Sequence, residues 1–238
     1  MALRFVGIGA PKCATTWTYQ VLGRHPLVSF PEGKEVNFWM HPSQRGLEWY
    51  DEAMARHDST RWMGEISVAY VHMDVGQIVA LRAHSPHVPL FLHVRHPVDR
   101  AWSLARMRIR LSGLDVIGMS EVALMEFVFT SANIEAGDYA QTLARWLSVF
   151  PAEQLLITKF DDIQSRPEWV IERLCGHLGL DSAPLLSRSD AHFLGSKPST
   201  STRPVPPGIG EMLSKLYAEP MRRFRDEYGI DYTGPGSG

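Results

Sequence analysis

Residues 4–22 read RFVGIGAPKCATTWTYQVL, a buried strand over Phe5 to Ile8, a Gly-Ala-Pro-Lys turn, and a helix entered through Thr15 and Thr16 with Trp17, Val21 and Leu22 on its apolar side. A loop placed between a strand and a helix aims its backbone N–H groups, and the positive end of the helix dipole, at one spot. That is an anion site for a phosphate or a phosphate-like group. Lys12 adds a mobile positive charge, and Thr15 and Thr16 add hydroxyl donors. The Walker form needs a longer glycine loop and Gly-Lys before Ser or Thr, whereas Lys12 follows Gly9 by three residues and precedes Cys13. The loop is P-loop-like and points to a nucleotide, but not to ordinary Mg-NTP chemistry.

The 238 residues are 45% apolar and 21% charged, as in a globular protein with one well-buried core. A formal net charge of −2 excludes a generally basic nucleic-acid binder, so an anion site must be a local arrangement. Cys13 and Cys175 lie far apart and outside any Cys/His cluster, which argues against a disulfide framework or a zinc site and fits a reducing compartment. No secretory leader and no membrane-length apolar run is seen, so the expectation is a cytoplasmic protein without a membrane span.

Working outward, Leu27 to Phe30 reads as a short strand, Leu47 to Ala55 as a helix and Trp62 to Ser67 as a strand. Asp74 caps a helix carrying Val75, Ile78, Val79 and Leu81 that ends at Ser85-Pro86. Pro89 to Val94 is the apolar run of an interior parallel strand. It leads at once into Arg95-His96-Pro97 and a helix with Val98, Ala101, Trp102, Ala105 and Ile109 on one face and Arg100, Ser103, Arg106 and Arg110 on the other. Helices follow over Met119–Thr130 and Asp138–Phe150, then a strand over Leu155–Thr158 and a helix over Pro167–Leu178. Residues 196–208 are polar, proline-rich and irregular; a helix follows from Ile209, and Pro220 is expected to start another. The alternation predicts a single-domain α/β three-layer fold over residues 1–232, a central parallel sheet with helices on both faces and ligands beyond the strands' carboxyl ends. Residues 233–238 read as a disordered tail or an engineered scar.

Taken together these motifs resemble the sulfotransferases that use 3′-phosphoadenosine 5′-phosphosulfate (PAPS), and most closely the branch that includes the heparan-sulfate enzymes. IGAPKCATT is similar to that family's 5′-phosphosulfate loop, RHPVDRAWSLARM to its 3′-phosphate motif, and KEVNFW to its acidic catalytic segment. GDYAQTLARWLSVFP and LLITKFDDI are similar to its later helix and strand, so the resemblance covers nearly the whole chain. It implies that Pro11, Lys12, Cys13, Ala14, Thr15 and Thr16 hold the 5′ end of the donor, that Arg95 and Ser103 hold its 3′-phosphate, and that Lys197 and Arg203 close over the phosphates.

The physical requirement agrees, because PAPS carries two separated anions and the sequence has two strand–turn–helix units. The Arg95 fork suits a phosphate dianion and Ser103 adds a hydroxyl. Lys12 is the candidate for stabilising the leaving phosphate, with ground-state binding as its alternative role. The resemblance makes Glu35 the general base; His93 and His96 flank Arg95 but read as sheet packing and helix entry. The expected reaction moves a sulfuryl group to an acceptor hydroxyl, less readily an amine, by in-line displacement without a metal. Two rival readings are a P-loop-like nucleotide kinase or NTPase, which needs a strand ending in a magnesium-binding Asp where this one ends in Arg95, and a non-catalytic nucleotide-binding module. A cysteine phosphatase needs an arginine within the Cys13 loop, and residues 14–21 contain none.

The chain departs from the family at three points, one being the late Lys-Gly-Arg loop, which appears only loosely as Lys197 to Arg203. Asn37 stands where the 3-O-sulfating members carry a histidine. In GEISVAY, Glu65 matches the family's glutamate while Ile66 replaces its lysine, which argues against glycosaminoglycan-style acceptor binding. The acceptor class expected is a small molecule, a glycolipid or a glycan, with no nucleic acid as partner.

Overall fold

The computed structural model describes residues 3–55, 61–187 and 203–232. They group into two compact units, one built from residues 3–94 and 145–187, the other from residues 95–144 and 203–232.

The first unit holds a five-stranded, all-parallel sheet. Its strands are β1 (Phe5–Gly7), β2 (Val28–Ser29), β3 (Trp62–Ile66), β4 (Leu90–Val94) and β5 (Leu155–Lys159), in the order β2-β3-β1-β4-β5. All five β4 residues are buried, as its uninterrupted apolar reading requires of a strand covered on both faces. Side chains alternate across the sheet. Phe5, Ile66 and Phe91 enter one core with Trp17, Val21 and Leu22 of α1 (Thr15–Leu22) and Val170, Ile171 and Leu174 of α9 (Pro167–Leu178). Val6, Leu90 and Leu92, equally buried, therefore face the other side. Close packing here depends on glycine, since a Cβ on Gly64 would lie 1.9 Å from the Phe5 ring.

Two further helices of this unit match their sequence signals. They are α2 (Leu47–Ala55) and α3 (Val75–His84), the latter closed by a capping box in which Asp74 accepts from Gln77 N–H at 2.8 Å and Gln77 accepts from Asp74 N–H at 2.9 Å. Of the four apolar positions expected to anchor α3, Ile78 and Leu81 are buried while Val75 and Val79 are about half exposed. Two short helices of this unit escaped the periodicity reading, α8 (Phe160–Ser165) and α10 (Ala183–Leu186), because a helix of one turn or so shows no repeat.

The second unit is helical: α4 (Pro97–Leu111), α5 (Glu121–Val128), α6 (Ser131–Glu135) and α11 (Pro207–Tyr228), with α7 (Tyr139–Leu147) leading the chain back to the first unit. Its core joins Val98, Ala101, Trp102, Ala105 and Ile109 of α4 to Leu124 and Val128 of α5 and to Ile209, Leu213 and Tyr217 of α11. Two expectations need correction. Pro220 does not begin a helix but lies inside α11. The buried stripe Ile209, Leu213, Tyr217 and Phe224 runs past it on one face, and that packing carries the helix through the backbone bond the proline removes. Arg100, read as part of the polar face of α4, is fully buried. Its guanidinium donates to Asn133 O and, at 3.0 Å, to Asn133 Oδ1, while the Asn133 amide donates to Ala101 O at 3.1 Å and Val128 O at 2.8 Å. This tie joins α4, α5 and α6.

Candidate active site

In the order β2-β3-β1-β4-β5 the chain's direction of travel reverses at β1 and β4, and the carboxyl ends of those strands are where ligands sit in such sheets. The loop leaving β1 is anchored there. Ala10 N–H donates to His93 O at 3.0 Å and His93 N–H to Gly9 O at 2.9 Å, so the ladder continues into the turn. Gly9 has φ +121°, and a Cβ there would meet Val71 Cγ1 at 2.7 Å. Only glycine suits both constraints.

Four non-glycine residues among those described have positive φ, namely Lys12 (69°), Ala14 (72°), Glu35 (67°) and Asn37 (55°). They fall on the two loops that carry the candidate catalytic residues. Left-handed backbone at such residues is costly, and clusters where surroundings hold a functional geometry. Ala14 occupies the N-cap of α1, so the N–H groups of Thr15, Thr16 and Trp17 receive no side-chain oxygen from their N-cap residue. Around this cradle Pro11, Lys12 and Ala14 are half-buried, Thr15 is buried and Thr16 exposed. Cys13 is fully buried, its backbone N–H donating to Ala10 O at 3.3 Å and its thiol to Pro11 O at 3.7 Å.

Glu35 is held from three directions within the same unit. Lys34 Nζ donates to its Oε1, Val68 N–H donates to its Oε2 at 2.8 Å, and its own N–H bonds Ile66 O at 3.1 Å. Asn37 braces the loop by donating from Nδ2 to Glu35 O at 3.0 Å and from its backbone to Ser67 Oγ at 3.0 Å. Ser67 in turn donates to Glu65 at 3.0 Å. Glu65 is fully buried and also accepts from Tyr50 at 2.5 Å and from Tyr70. Burial pushes its carboxyl up from the ordinary range, three hydroxyl donors pull it back, and the charge of Glu35 adds to the rise. Glu65 thus acts as the buried anchor of the Glu35 segment. Ile66 is fully buried in the sheet core and presents no side chain to solvent.

His93 is a core residue. Its Nε2 lies 2.8 Å from Thr18 Oγ1, and burial pushes the imidazole down to about 3. This matches the sheet-packing reading.

In the second unit Arg95 and Ser103 are half-buried. Tyr139, expected only as core, also holds the backbone of Arg95 through its hydroxyl. Arg203 lies against α4, its carbonyl accepting from Trp102 Nε1 at 3.1 Å and its guanidinium pairing with Asp115 at 2.9 Å. Lys197 lies outside the described residues. The second unit thus brings together Arg95 and Arg203, each close enough to Arg106 to act on its charge, while the loop residues and Glu35 belong to the first unit.

The family model described as "Sulfotransferase domain" matches residues 4–198. The chain belongs to the sulfotransferase domain family. Among curated relatives, this sulfotransferase domain is 27% identical over 256 residues to human heparan sulfate glucosamine 3-O-sulfotransferase 6, covering 94% of this chain and 71% of that protein. It is 26% identical over 196 residues to human bifunctional heparan sulfate N-deacetylase/N-sulfotransferase 2, covering 74% of this chain but 22% of that much longer protein. Among solved structures, a sulfotransferase from Alicyclobacillus acidocaldarius superposes with TM-score 0.76 at 22% identity over 98% of each chain. A mouse sulfotransferase complexed with PAP gives 0.62 at 15% identity, over 96% of this chain and 89% of that one. These likenesses establish the sulfotransferase fold. Among the described residues, no helix is long and apolar enough to cross a membrane.

Proposed function

We propose that this sulfotransferase moves a sulfuryl group from PAPS to an acceptor hydroxyl by direct in-line displacement. The observation that carries the reading is the pairing of strained loops. One is an anion cradle with left-handed Lys12 and Ala14 at the N-terminus of α1; the other is a carboxylate loop with left-handed Glu35 and Asn37, braced by a buried glutamate. The cradle suits the 5′ end of the donor, because Ala14 leaves the helix N-terminus without a side-chain cap and Thr15 and Thr16 follow directly. When bound, PAPS supplies an activated sulfur whose bond to the 5′-phosphate breaks as the acceptor oxygen attacks. Lys12 and the first-turn amides stabilise the charge left on the phosphate, and Glu35 takes the acceptor proton. Lys34 and Val68 N–H each occupy one lone pair of the Glu35 carboxylate, which leaves acceptor capacity on both oxygens. Arg95 and Ser103 are assigned to the 3′-phosphate, with Arg203, which like Arg95 acts on the Arg106 charge, assigned to close over the phosphates.

The acceptor class favoured is a small molecule, a glycolipid or a glycan. Ile66, buried in the sheet core, stands where the resembling family carries a lysine, so this position offers no cation to a polyanionic chain. The test is a thermal-shift comparison of adenosine 3′,5′-bisphosphate, ADP and ATP with magnesium, followed by transfer from labelled PAPS to an acceptor panel. Selective stabilisation by the bisphosphate is expected; equal or greater stabilisation by ATP with magnesium would instead favour an NTPase.

A further inference from the structure

The second unit contains a guanidinium that the reading above does not use. Arg106 lies one helical turn beyond Ser103 on α4, so the two side chains share a face. It is half-buried, and its Nη1 is shielded from solvent with no hydrogen-bond partner. A shielded donor without an acceptor costs about as much as a lost hydrogen bond, and more when charged. The groups around it worsen the position. Burial, then the positive charges of Arg203, Arg95 and Arg110, all disfavour its charged form. Asp115, the carboxylate paired with Arg203, also accepts from Ile117 N–H at 2.9 Å. Three further arginines thus stand close enough to act on the Arg106 charge, an arrangement that an anion of more than one charge relieves.

We propose that Arg106 is a third donor of the 3′-phosphate subsite, alongside Arg95 and Ser103, and the residue that makes this subsite require a phosphate dianion in place of a ribose hydroxyl. The inference rests on the PAPS reading above. A terminal phosphate offers three strong acceptor oxygens, more than one arginine fork and one hydroxyl fill, and a planar guanidinium matches what remains. Arg106 is therefore a specificity determinant within RHPVDRAWSLARM, three residues after Ser103.

The test is calorimetric titration of adenosine 3′,5′-bisphosphate and of adenosine 5′-phosphate into the full chain, as wild type, R106M and R106K. The wild type is expected to prefer the bisphosphate. R106M should lose affinity for it by about 10- to 100-fold, the scale of one hydrogen bond to a charged group, while its affinity for the monophosphate stays within about twofold. R106K should fall between, keeping the charge but not the fork. Without ligand, R106M should melt at or above the wild-type temperature, because no native partner is lost and like-charge repulsion is relieved. An unchanged bisphosphate-to-monophosphate ratio in R106M overturns the assignment and leaves the donor reading standing. So does a ligand-free melting temperature several degrees lower, which makes the guanidinium structural. A wild type that binds both nucleotides equally overturns the donor reading itself, and this inference with it.

Discussion

The Tyr139 hydroxyl closes a small ring on the backbone of Arg95, accepting from its N–H at 3.1 Å and donating to its C=O at 2.8 Å. Arg95, where the chain passes from β4 to α4, is thereby fixed by a side chain 44 positions later. Y139F removes both bonds and keeps the ring in the core. The expected result is a loss of about 1–2 kcal/mol in stability, with KM for PAPS raised severalfold and kcat little changed. Equal loss in kcat and in kcat/KM, with KM unmoved, would show that Tyr139 does not act through donor binding.

E35Q tests the base. The amide keeps the size of the side chain and an acceptor for Val68 N–H, but cannot take a proton. Turnover should fall by about 10²- to 10⁴-fold, with bisphosphate affinity unchanged. K12A should reduce turnover and also weaken bisphosphate binding, because the lysine is proposed to touch the phosphate in both ground and transition states. Full turnover in E35Q would remove Glu35 from the mechanism.

Glu65 supports the Glu35 loop from beneath, and its removal separates support from chemistry. E65A leaves the Tyr50 and Tyr70 hydroxyls buried without their acceptor, a cost of about 2–5 kcal/mol for two such groups. Chemical denaturation should show that loss. S67A breaks only the link from Glu65 to Asn37 N–H and should cost about 1 kcal/mol. If S67A were to reduce turnover no further than a distant surface serine does, the bracing role of this chain of bonds would be wrong.

How much of this was legible in the sequence follows from the range of the contacts involved. The strand, turn and helix of residues 4–22 are local, and the observed β1 and α1 fall where glycine, proline and apolar spacing put them. The α9 boundaries match for the same reason, with Pro167 at the first turn and Gly179 left-handed at the end. Arg100 misled because a charged residue on an amphipathic helix is ordinarily solvated; its partners Asn133 and Tyr217 come from α6 and α11, at separations of 33 and 117 residues. The Glu65 anchor hides likewise, since Tyr50 and Tyr70 look like core aromatics until their hydroxyls are seen to converge. Glu35 itself was read from family likeness. Its positive φ and its contacts with Lys34 and Val68 are visible only in three dimensions.

The depressed imidazole of His93 gives a pH signature independent of catalysis. Its ordinary value is 6.5 and burial takes it to about 3 in the folded chain, so between those values the unfolded state binds more protons. Stability from this group is therefore complete above pH 6.5 and is lost as pH falls toward 3. Between pH 8 and pH 5 the loss is about 2 kcal/mol, at 1.36 kcal/mol per pH unit below the unfolded value. H93Q keeps a polar group at the reach of Nε2 toward Thr18 but does not titrate. Urea unfolding at the two pH values should show the wild type losing about 2 kcal/mol more than the variant. Equal losses in the two proteins would mean that the imidazole charges within the folded state, and that the buried contact with Thr18 opens at mild acidity.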